Sequence, residues 1–283
     1  MIPVAFEYTR PSTVEDAVAV LAADPDAKVL AGGQSLLPVL RLRLAAPSTL
    51  VDLRDVESLH GVRVADGELV IGAMTTHAEI LHDRRVAEHA PLIAAATATV
   101  GDRQVRHLGT FGGSLSHADP AGDLPAVALA LSATMVAVGP GGRREIPAAD
   151  FFVDYLTTAL APDEILAEVR VPDTAGWGYR YEKFSRMAQA WAVVAVAALV
   201  RRADGGVADT RVALTSMASR PVRATAVEQA LTGTDGDSGA ITAAAGHADE
   251  GTEPPDDVNG AADYRAHLAR VLTRRALTAA AGA

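Results

Sequence analysis

Apolar and polar positions follow distinct periodicities along the N-terminal part of the chain. Apolar residues recur at helical spacing over residues 14–23, where Ser12 or Thr13 can cap the helix and acids occupy its first turn. Apolar runs at residues 28–31 and 50–53 predict two buried strands. A short helix between them is predicted to begin at Ser35. Residues 1–57 are therefore predicted to form a small β-α-β unit.

The middle of the chain mixes strand and helix patterns. Strand-like alternation around the turn pair Asp66-Gly67 predicts a hairpin over residues 62–72, and Thr76 precedes Glu79 at the spacing of a capping box. Further helices are predicted over residues 89–100 and 123–131, and further strands over residues 135–138, 143–146 and 164–171.

A segment containing glycine and proline, residues 172–178, separates this region from the C-terminal part. Beyond it the pattern predicts three antiparallel strands, over residues 179–186, 192–202 and 210–215. Three helices are predicted to follow, over residues 222–231, 238–248 and 261–280. Strands followed by helices indicate an α+β domain. We therefore expect three structural units, residues 1–57, 58–172 and 173–283.

The composition allows large buried cores and limits the chemistry. Of the 283 residues, 49% are apolar and 21% are charged. The complete lack of cysteine excludes disulfides, thiolate catalysis and cysteine-ligated iron–sulfur clusters within this chain. The eight histidines show no metal-binding spacing such as HExxH, so no metal site is expected.

Charge and hydropathy argue against nucleic-acid and membrane partners. The formal net charge is −10 and no basic block stands out. Residues 1–8 lack the charged segment and long apolar core of a signal peptide, and the apolar run at residues 191–200 is too short to span a bilayer. We expect a cytoplasmic protein without a membrane span.

Two glycine-rich turns carry the strongest chemical signal, AGGQS at residues 31–35 and TFGGS at residues 110–114. Each follows apolar residues and places a hydroxyl beside paired glycines. Glycine lets the main chain approach a ligand, and successive N–H groups can converge on an anion such as a pyrophosphate. A helix beginning at Ser35 would also direct the free N–H groups and the positive dipole end of its N-terminus at such an anion. The first motif alone fits an ordinary strand–helix turn equally well.

The segment over residues 103–125 is predicted as a long loop between helices, and loops of this length commonly have a function. It contains the second glycine turn and an acid, Asp123. The carboxylate is suited to accept hydrogen bonds from ribityl or ribose hydroxyls. It is equally suited to cap its own helix, with Leu124 and Pro125 in the first turn.

Four stretches together resemble the medium, FAD-binding subunit of molybdenum hydroxylases, the family of carbon monoxide dehydrogenase and xanthine dehydrogenase. They are AGGQSLLPVLRLRLAAPSTLVDL (31–53), IGAMTTHAEI (71–80), RQVRHLGTFGGSLSHADPAGDLPAVALAL (103–131) and DYRAHLARVLTRRAL (263–277). The resemblance extends over essentially the whole chain. It implies an α+β protein with a two-lobed FAD-binding domain of the PCMH, or vanillyl-alcohol-oxidase, type. A C-terminal domain like that of CO dehydrogenase flavoproteins would follow, with a three-stranded antiparallel sheet and helices.

The resemblance also implies a set of FAD contacts. The pyrophosphate would be held by Val29, Leu30, Ala31, Gly32, Gly33, Gln34, Ser35, Thr110, Phe111, Gly112, Gly113 and Ser114. The rest of the cofactor would lie against Val100, Asp123, Leu166, Lys183 and Trp191. Gln34 and Phe111 depart from many relatives, which carry histidine and a smaller aliphatic residue there. These differences leave phosphate binding intact but can change flavin tuning and packing.

Several of these residues also fit purely structural roles. Lys183, beside Glu182, fits a solvated surface charge, and Trp191 fits a core or interface position at the start of an apolar strand. Structural roles are also the simpler interpretation for His77, His117, Arg103 and Arg106.

The resemblance implies an FAD-dependent oxidoreductase subunit with no catalytic base or nucleophile of its own. Its electrons would come from a molybdopterin large subunit through a 2Fe–2S small subunit, and would pass to NAD⁺, a quinone or oxygen. A dimer of heterotrimers is expected. Two alternatives remain, a stand-alone FAD-dependent oxidase or dehydrogenase and a flavin-free scaffold. The intact glycines of both turns argue against the scaffold.

Overall fold

The computed structural model describes residues 2–282. Met1 and Ala283, the outermost residues of the predicted N- and C-terminal units, lie outside the described residues. The N-terminal unit consists of β1 (Glu7–Thr9), α1 (Val14–Ala23), β2 (Lys28–Leu30), α2 (Leu36–Arg41) and β3 (Thr49–Asp52).

The first three strands form a parallel sheet in the order β1-β3-β2, with Leu30 opposite Asp52. The Thr13 hydroxyl accepts from the Asp16 N–H at 3.1 Å, which confirms the predicted cap of α1. The predicted β-α-β unit is therefore present, with β1 as an additional strand. Because parallel strands share one carboxyl edge, the turn after Leu30 emerges beside the end of β3.

The middle of the chain forms a five-stranded antiparallel sheet in the order β4-β5-β10-β6-β7. The middle part of the chain begins with a 3₁₀ turn (Glu57–Leu59). Its further elements, in chain order, are β4 (Val62–Ala65), β5 (Glu68–Gly72), α3 (His77–His82), α4 (Arg84–His89), α5 (Pro91–Thr97), α6 (Arg103–Leu108), α7 (Phe111–His117), α8 (Asp123–Ala130), β6 (Thr134–Gly139), β7 (Gly142–Pro147), α9 (Ala148–Phe151), β8 (Phe152–Asp154), β9 (Thr157–Thr158) and β10 (Ile165–Pro172). The predicted Asp66-Gly67 turn and the Thr76–Glu79 capping box are both confirmed.

The segment predicted as a long loop is largely helical. Asp102 caps α6 by accepting from the Val105 N–H at 2.8 Å, and Thr110 caps α7 by accepting from the Gly113 N–H at 3.1 Å. These caps help both short helices to form, and α7 forms despite its paired glycines. The helix predicted over residues 89–100 is α5, which begins at Pro91 and ends at Thr97. His89 belongs instead to the preceding helix α4, which ends before Ala90.

The C-terminal unit contains β11 (Gly178–Phe184), β12 (Val194–Ala203), β13 (Gly206–Thr215), β14 (Val222–Arg223), α10 (Thr225–Leu231), α11 (Ser238–Ala245) and α12 (Ala262–Ala281). The three predicted antiparallel strands are confirmed. The two-residue β14 adds a fourth strand, because residues expected to begin a helix pair with β13 instead.

The two faces of the C-terminal sheet pack in two different hydrophobic cores. Along β12, Val194, Val196, Ala198 and Val200 pack with α10, α11 and α12. The alternate residues Ala195, Ala197 and Leu199 join the core that contains the fully buried helix α8. Successive side chains of a strand point to opposite faces, and the small alanines let α8 approach closely. The C-terminal sheet is thereby fixed against the middle unit.

Candidate functional site

The two glycine turns lie directly against each other. A Cβ atom on Gly32 would fall 2.1 Å from the Leu108 carbonyl oxygen and 2.7 Å from the Gly109 Cα. A Cβ atom on Gly113 would lie 3.3 Å from that of Ala31. The end of β2 and the start of α7 therefore form one continuous surface, as expected if both turns contact one ligand.

The glycines are required for a different reason from the one predicted. At Gly32 the space of a side chain is filled by protein backbone, and at Gly112 it is filled by Ala73, whose Cβ would lie 2.4 Å away. A side chain on Gly113 would meet the Thr110 hydroxyl at 2.6 Å. Only Gly33, with φ of +72°, is required by its own backbone conformation. The missing side chains thus bring protein segments together, rather than leaving space for a ligand.

The first turn has a row of unused hydrogen-bond donors. Within the described residues, none of the six main-chain N–H groups of residues 31–36 donates to a protein acceptor. The Gln34 side chain donates back to the Gly32 carbonyl at 3.3 Å. Main-chain N–H groups require a partner, so these half-buried donors are available to water or to an anionic ligand.

The second turn is different, because its amides are already bonded. The N–H groups of Phe111 and Gly112 donate to the carbonyls of Thr75 and Ala73 at 2.9 and 2.8 Å. Those of Gly113 and Ser114 donate to the Thr110 hydroxyl and carbonyl. The expectation of bare amides in both turns is therefore wrong for the second turn. It offers a ligand only its hydroxyl groups and its surface.

Asp123 anchors a buried polar cluster between the middle and C-terminal units. Its side chain is 5% exposed, and the Tyr181 hydroxyl donates to Oδ1 at 2.6 Å. Lys183 Nζ donates to Oδ2 at 2.9 Å and to the Thr99 carbonyl at 3.2 Å. Gly122, rather than Asp123, is the N-cap of α8, and it makes no side-chain cap bond. The capping alternative for Asp123 is therefore wrong.

The same cluster corrects the surface-charge interpretation of Lys183, since that side chain is only 9% exposed. Burial raises the pKa of Asp123, while Lys183 and Tyr181 act in the opposite direction. Burial and the neighbouring Asp123 carboxylate raise the pKa of Tyr181 well above its ordinary value. The Asp123–Lys183 ion pair joins residues that are far apart in the sequence.

Two protein-family models cover nearly the whole chain. Residues 4–174 match the FAD binding domain in molybdopterin dehydrogenase, and residues 179–280 match the CO dehydrogenase flavoprotein C-terminal domain. The chain belongs to the family of FAD-binding medium subunits of molybdenum-containing dehydrogenases. It is an FAD-binding oxidoreductase subunit, and the predicted α+β fold with this order of domains is confirmed.

Individual relatives match this medium subunit along its full length. The carbon monoxide dehydrogenase medium chain of Hydrogenophaga pseudoflava is 40% identical, covering 99% of this chain and 98% of its own. The nicotine 6-hydroxylase medium subunit of Paenarthrobacter nicotinovorans is 37% identical, covering 98% and 97%. The structure of H. pseudoflava carbon monoxide dehydrogenase that lacks the Mo-pyranopterin moiety has a TM-score of 0.97 at 42% identity, covering 100% of this chain and 99% of that chain.

The remaining predicted FAD contacts of the medium subunit, Leu166, Val100 and Trp191, differ in how far they are buried. Leu166, on β10, is buried in the same core as Phe111 and Tyr181. Val100 is half-buried, and its carbonyl accepts from Arg106 at 2.8 Å. Trp191 is 55% exposed and precedes β12, so the core interpretation of this residue is wrong. Among the described residues, no hydrogen bond or ring contact joins Trp191 to the Asp123 cluster.

Two buried polar residues near the site of this subunit were not among its predicted FAD contacts: Tyr181, which was not singled out, and His77, which was given a structural role. Tyr181 could have been found from its spacing, since it lies two positions before Lys183 on one strand face. His77 is 3% exposed, its Nδ1 has no partner within the described residues, and its ring lies against Gly109. Burial and the nearby Arg106 charge lower the pKa of His77 to about 4, so its ring is neutral near pH 7.

Within residues 2–282, no group of histidine and acidic side chains is arranged to hold a metal ion. Over the same residues, every helix is too short or too polar to cross a lipid bilayer.

Proposed function

We propose that this chain carries electrons between a molybdenum subunit and a final acceptor through bound FAD. The electrons would arrive from a 2Fe–2S small subunit, which receives them from a molybdopterin large subunit. They would leave to NAD⁺, a quinone or oxygen. The row of unused amides at residues 31–36 is the observation that carries this proposal, because it lies in a chain that matches medium subunits from end to end.

The residues present fit an anionic dinucleotide. We assign its diphosphate to the amides of residues 31–36, with the hydroxyls of Ser35, Thr110 and Ser114 as further donors. The Ser35 and Ser114 hydroxyls make no hydrogen bond within the described residues. The second turn would therefore act mainly as a wall that fixes the first turn in place.

The Asp123 cluster fits the more distant part of the cofactor. Lys183 has three N–H donors and uses two of them within the protein. Its remaining donor and the free lone pairs of Asp123 are suited to a ribityl hydroxyl or a flavin carbonyl. Further contacts are assigned by resemblance to residues that supply apolar or main-chain surface, namely Val29, Leu30, Ala31, Gly32, Gly33, Gln34, Val100, Phe111, Gly112, Gly113, Leu166 and Trp191.

Bound FAD supplies redox chemistry that can accept electrons singly and release them in pairs. The protein's part is to bind, orient and shield the cofactor. Because the sequence has no cysteine, cysteine-ligated iron–sulfur clusters must lie on another chain. This supports separate iron–sulfur and molybdenum subunits, and we propose the dimer of heterotrimers expected for the family. The relatives' names, medium chain and medium subunit, agree with such an assembly.

We also propose that the chain divides into residues 1–57, 58–172 and 173–283. Support comes from the end of β10 at Pro172 and the start of β11 at Gly178, with no regular element between them. A cytoplasmic location remains a prediction from the sequence.

Purification of the tagged chain from its native host tests this function. We expect FAD, iron and molybdenum to co-purify in fixed ratios, with two further polypeptides. Partial reduction by the molybdenum subunit's substrate should bleach the flavin absorbance. A solitary yellow protein that oxidises a small molecule by itself would favour the stand-alone enzyme. An assembly that contains iron and molybdenum but never FAD would contradict the proposal.

A further inference from the structure

Tyr181 has no role in the function proposed above, yet it forms the closed end of the Asp123 cluster. It lies two residues before Lys183 on β11, so both side chains point from one face of the sheet toward α8. Tyr181 lies opposite Ala197, and Lys183 lies opposite Ala195. These small neighbours leave room for the two long side chains to reach Asp123.

The cluster gives each oxygen of Asp123 one donor from the C-terminal sheet. Oδ1 accepts from Tyr181 at 2.6 Å, and Oδ2 accepts from Lys183 at 2.9 Å. A buried carboxylate that loses a donor either takes up a proton or turns toward its remaining partner. Either change would alter the position of the Lys183 ammonium group, because Asp123 is its only charged partner among the described residues.

Tyr181 has no free donor to offer a ligand. It is 7% exposed and shares a core with Leu166, Ala195 and Ala197, and its hydroxyl is occupied by Asp123. Lys183, in contrast, keeps one free N–H after bonding Asp123 and the Thr99 carbonyl. Any influence of Tyr181 on the cofactor must therefore act through Asp123 and Lys183.

We propose that Tyr181 is a positioning residue of the FAD site. It holds the Asp123 carboxylate ionised and fixed in orientation, and so keeps the free N–H of Lys183 directed at the cofactor. This inference rests on the proposed function. Because Asp123 belongs to the middle unit and Tyr181 to the C-terminal sheet, FAD affinity also depends on the contact between these two units.

The test compares Tyr181→Phe with Tyr179→Phe in the full chain, in whatever assembly co-purifies with it. Tyr179 lies on the same strand but is 41% exposed, so it is a matched control. The Kd for FAD, followed by flavin fluorescence, should rise about 10-fold in Tyr181→Phe near neutral pH, as expected for loss of a hydrogen bond to a charged group. The control should match the parent.

The pH profile separates positioning from a purely structural role. The titratable groups that face Asp123 are Lys183 and Tyr181, and Tyr181→Phe removes one of the two donors that favour the carboxylate. Weakening of FAD binding should therefore grow as the pH falls, and should begin at a higher pH than in the parent. In an Asp123→Asn background, adding Tyr181→Phe should change the Kd by less than about 2-fold, since the titrating group is gone.

The outcomes are distinct. A parent that never binds FAD contradicts the proposed function. A Tyr181→Phe protein that binds FAD with the parent's affinity and pH profile overturns the positioning role alone. The positioning role is also overturned if Tyr181→Phe lowers the apoprotein Tm but leaves the pH profile of FAD binding as in the parent. If Tyr181→Phe fails to fold, Asp123→Asn supplies the second test, because a carboxamide does not titrate. FAD binding that still weakens on the acid side as in the parent then overturns the positioning role, which acts through this carboxylate.

Discussion

The carbonyl oxygen of Leu108 lies 2.1 Å from the position that a Cβ atom on Gly32 would occupy. Two segments almost eighty residues apart in sequence thus pack with their backbones in direct contact. This contact places the free amides of residues 31–36 next to α7. The position of the first turn against the second depends on it, and a single methyl group should be enough to disturb it.

Gly32→Ala should therefore lower both stability and FAD content. The clash is with backbone, which cannot move aside as a flexible side chain would, so we expect a loss of about 2–3 kcal/mol in the free energy of unfolding. Gly141→Ala is the matched control, because no atom lies within 4 Å of its Cβ position. Denaturant unfolding and flavin absorbance of the purified proteins measure the two effects. Equal behaviour of both variants would refute the packing role.

Ser35→Asp should weaken FAD binding without harming the fold. Ser35 is the N-cap of α2, where aspartate is well tolerated, but its charge would lie beside the assigned diphosphate site. A like charge at about 5 Å costs about 3 kcal/mol at a protein-like dielectric, so the Kd for FAD should rise about 100-fold. The exposed Ser12→Asp serves as the control, with apoprotein Tm measured for both. Unchanged FAD affinity in Ser35→Asp would place the diphosphate elsewhere.

Lys183→Met should be strongly destabilising even without cofactor. Removing one partner of a buried ion pair leaves the other charge uncompensated, which costs about 3–5 kcal/mol. Arg84→Met breaks an exposed pair with Glu88 and should cost no more than about 0.5 kcal/mol. Urea titration of the two apoproteins checks this contrast. Similar losses in both would mean that the Asp123–Lys183 pair is solvated in solution.

The neutral, buried His77 predicts acid sensitivity. Its pKa falls from an ordinary value of 6.5 to about 4 on folding. The unfolded chain therefore binds more protons between these values, and stability is lost as the pH falls through that window. The loss attributable to this residue reaches about 3 kcal/mol. Urea unfolding near pH 7 and near pH 4.5 should show a smaller difference in His77→Leu than in the parent, while the exposed His82→Asn keeps the parent's pH dependence.

Local signals in the sequence predicted much of this architecture. The α1 cap at Thr13, the Asp66-Gly67 hairpin and the Thr76–Glu79 capping box involve residues only a few positions apart, and all three are present. Helices α6 and α7 were missed, because α7 contains paired glycines, which disfavour helices, and because both short helices depend on caps and tertiary contacts.

The site was predicted less completely than the fold. The glycine turns were correctly chosen as neighbours, but the sequence could not show that the amides after Thr110 are bonded to Ala73 and Thr75. Nor could it show that Asp123 contacts Tyr181, 58 positions away, since that contact arises from packing of α8 on the C-terminal sheet. Hydrogen-bond partners across units depend on tertiary structure, which no local pattern encodes.

Hydrogen exchange at the two glycine turns tests the central claim most directly. In the apoprotein, the amides of residues 31–36 have no protein acceptor and should exchange quickly, while those of residues 111–114 should already be protected. Addition of FAD should slow exchange at residues 31–36 and leave residues 111–114 almost unchanged. Fast exchange at residues 31–36 in protein saturated with FAD would contradict the assignment of these amides to the diphosphate.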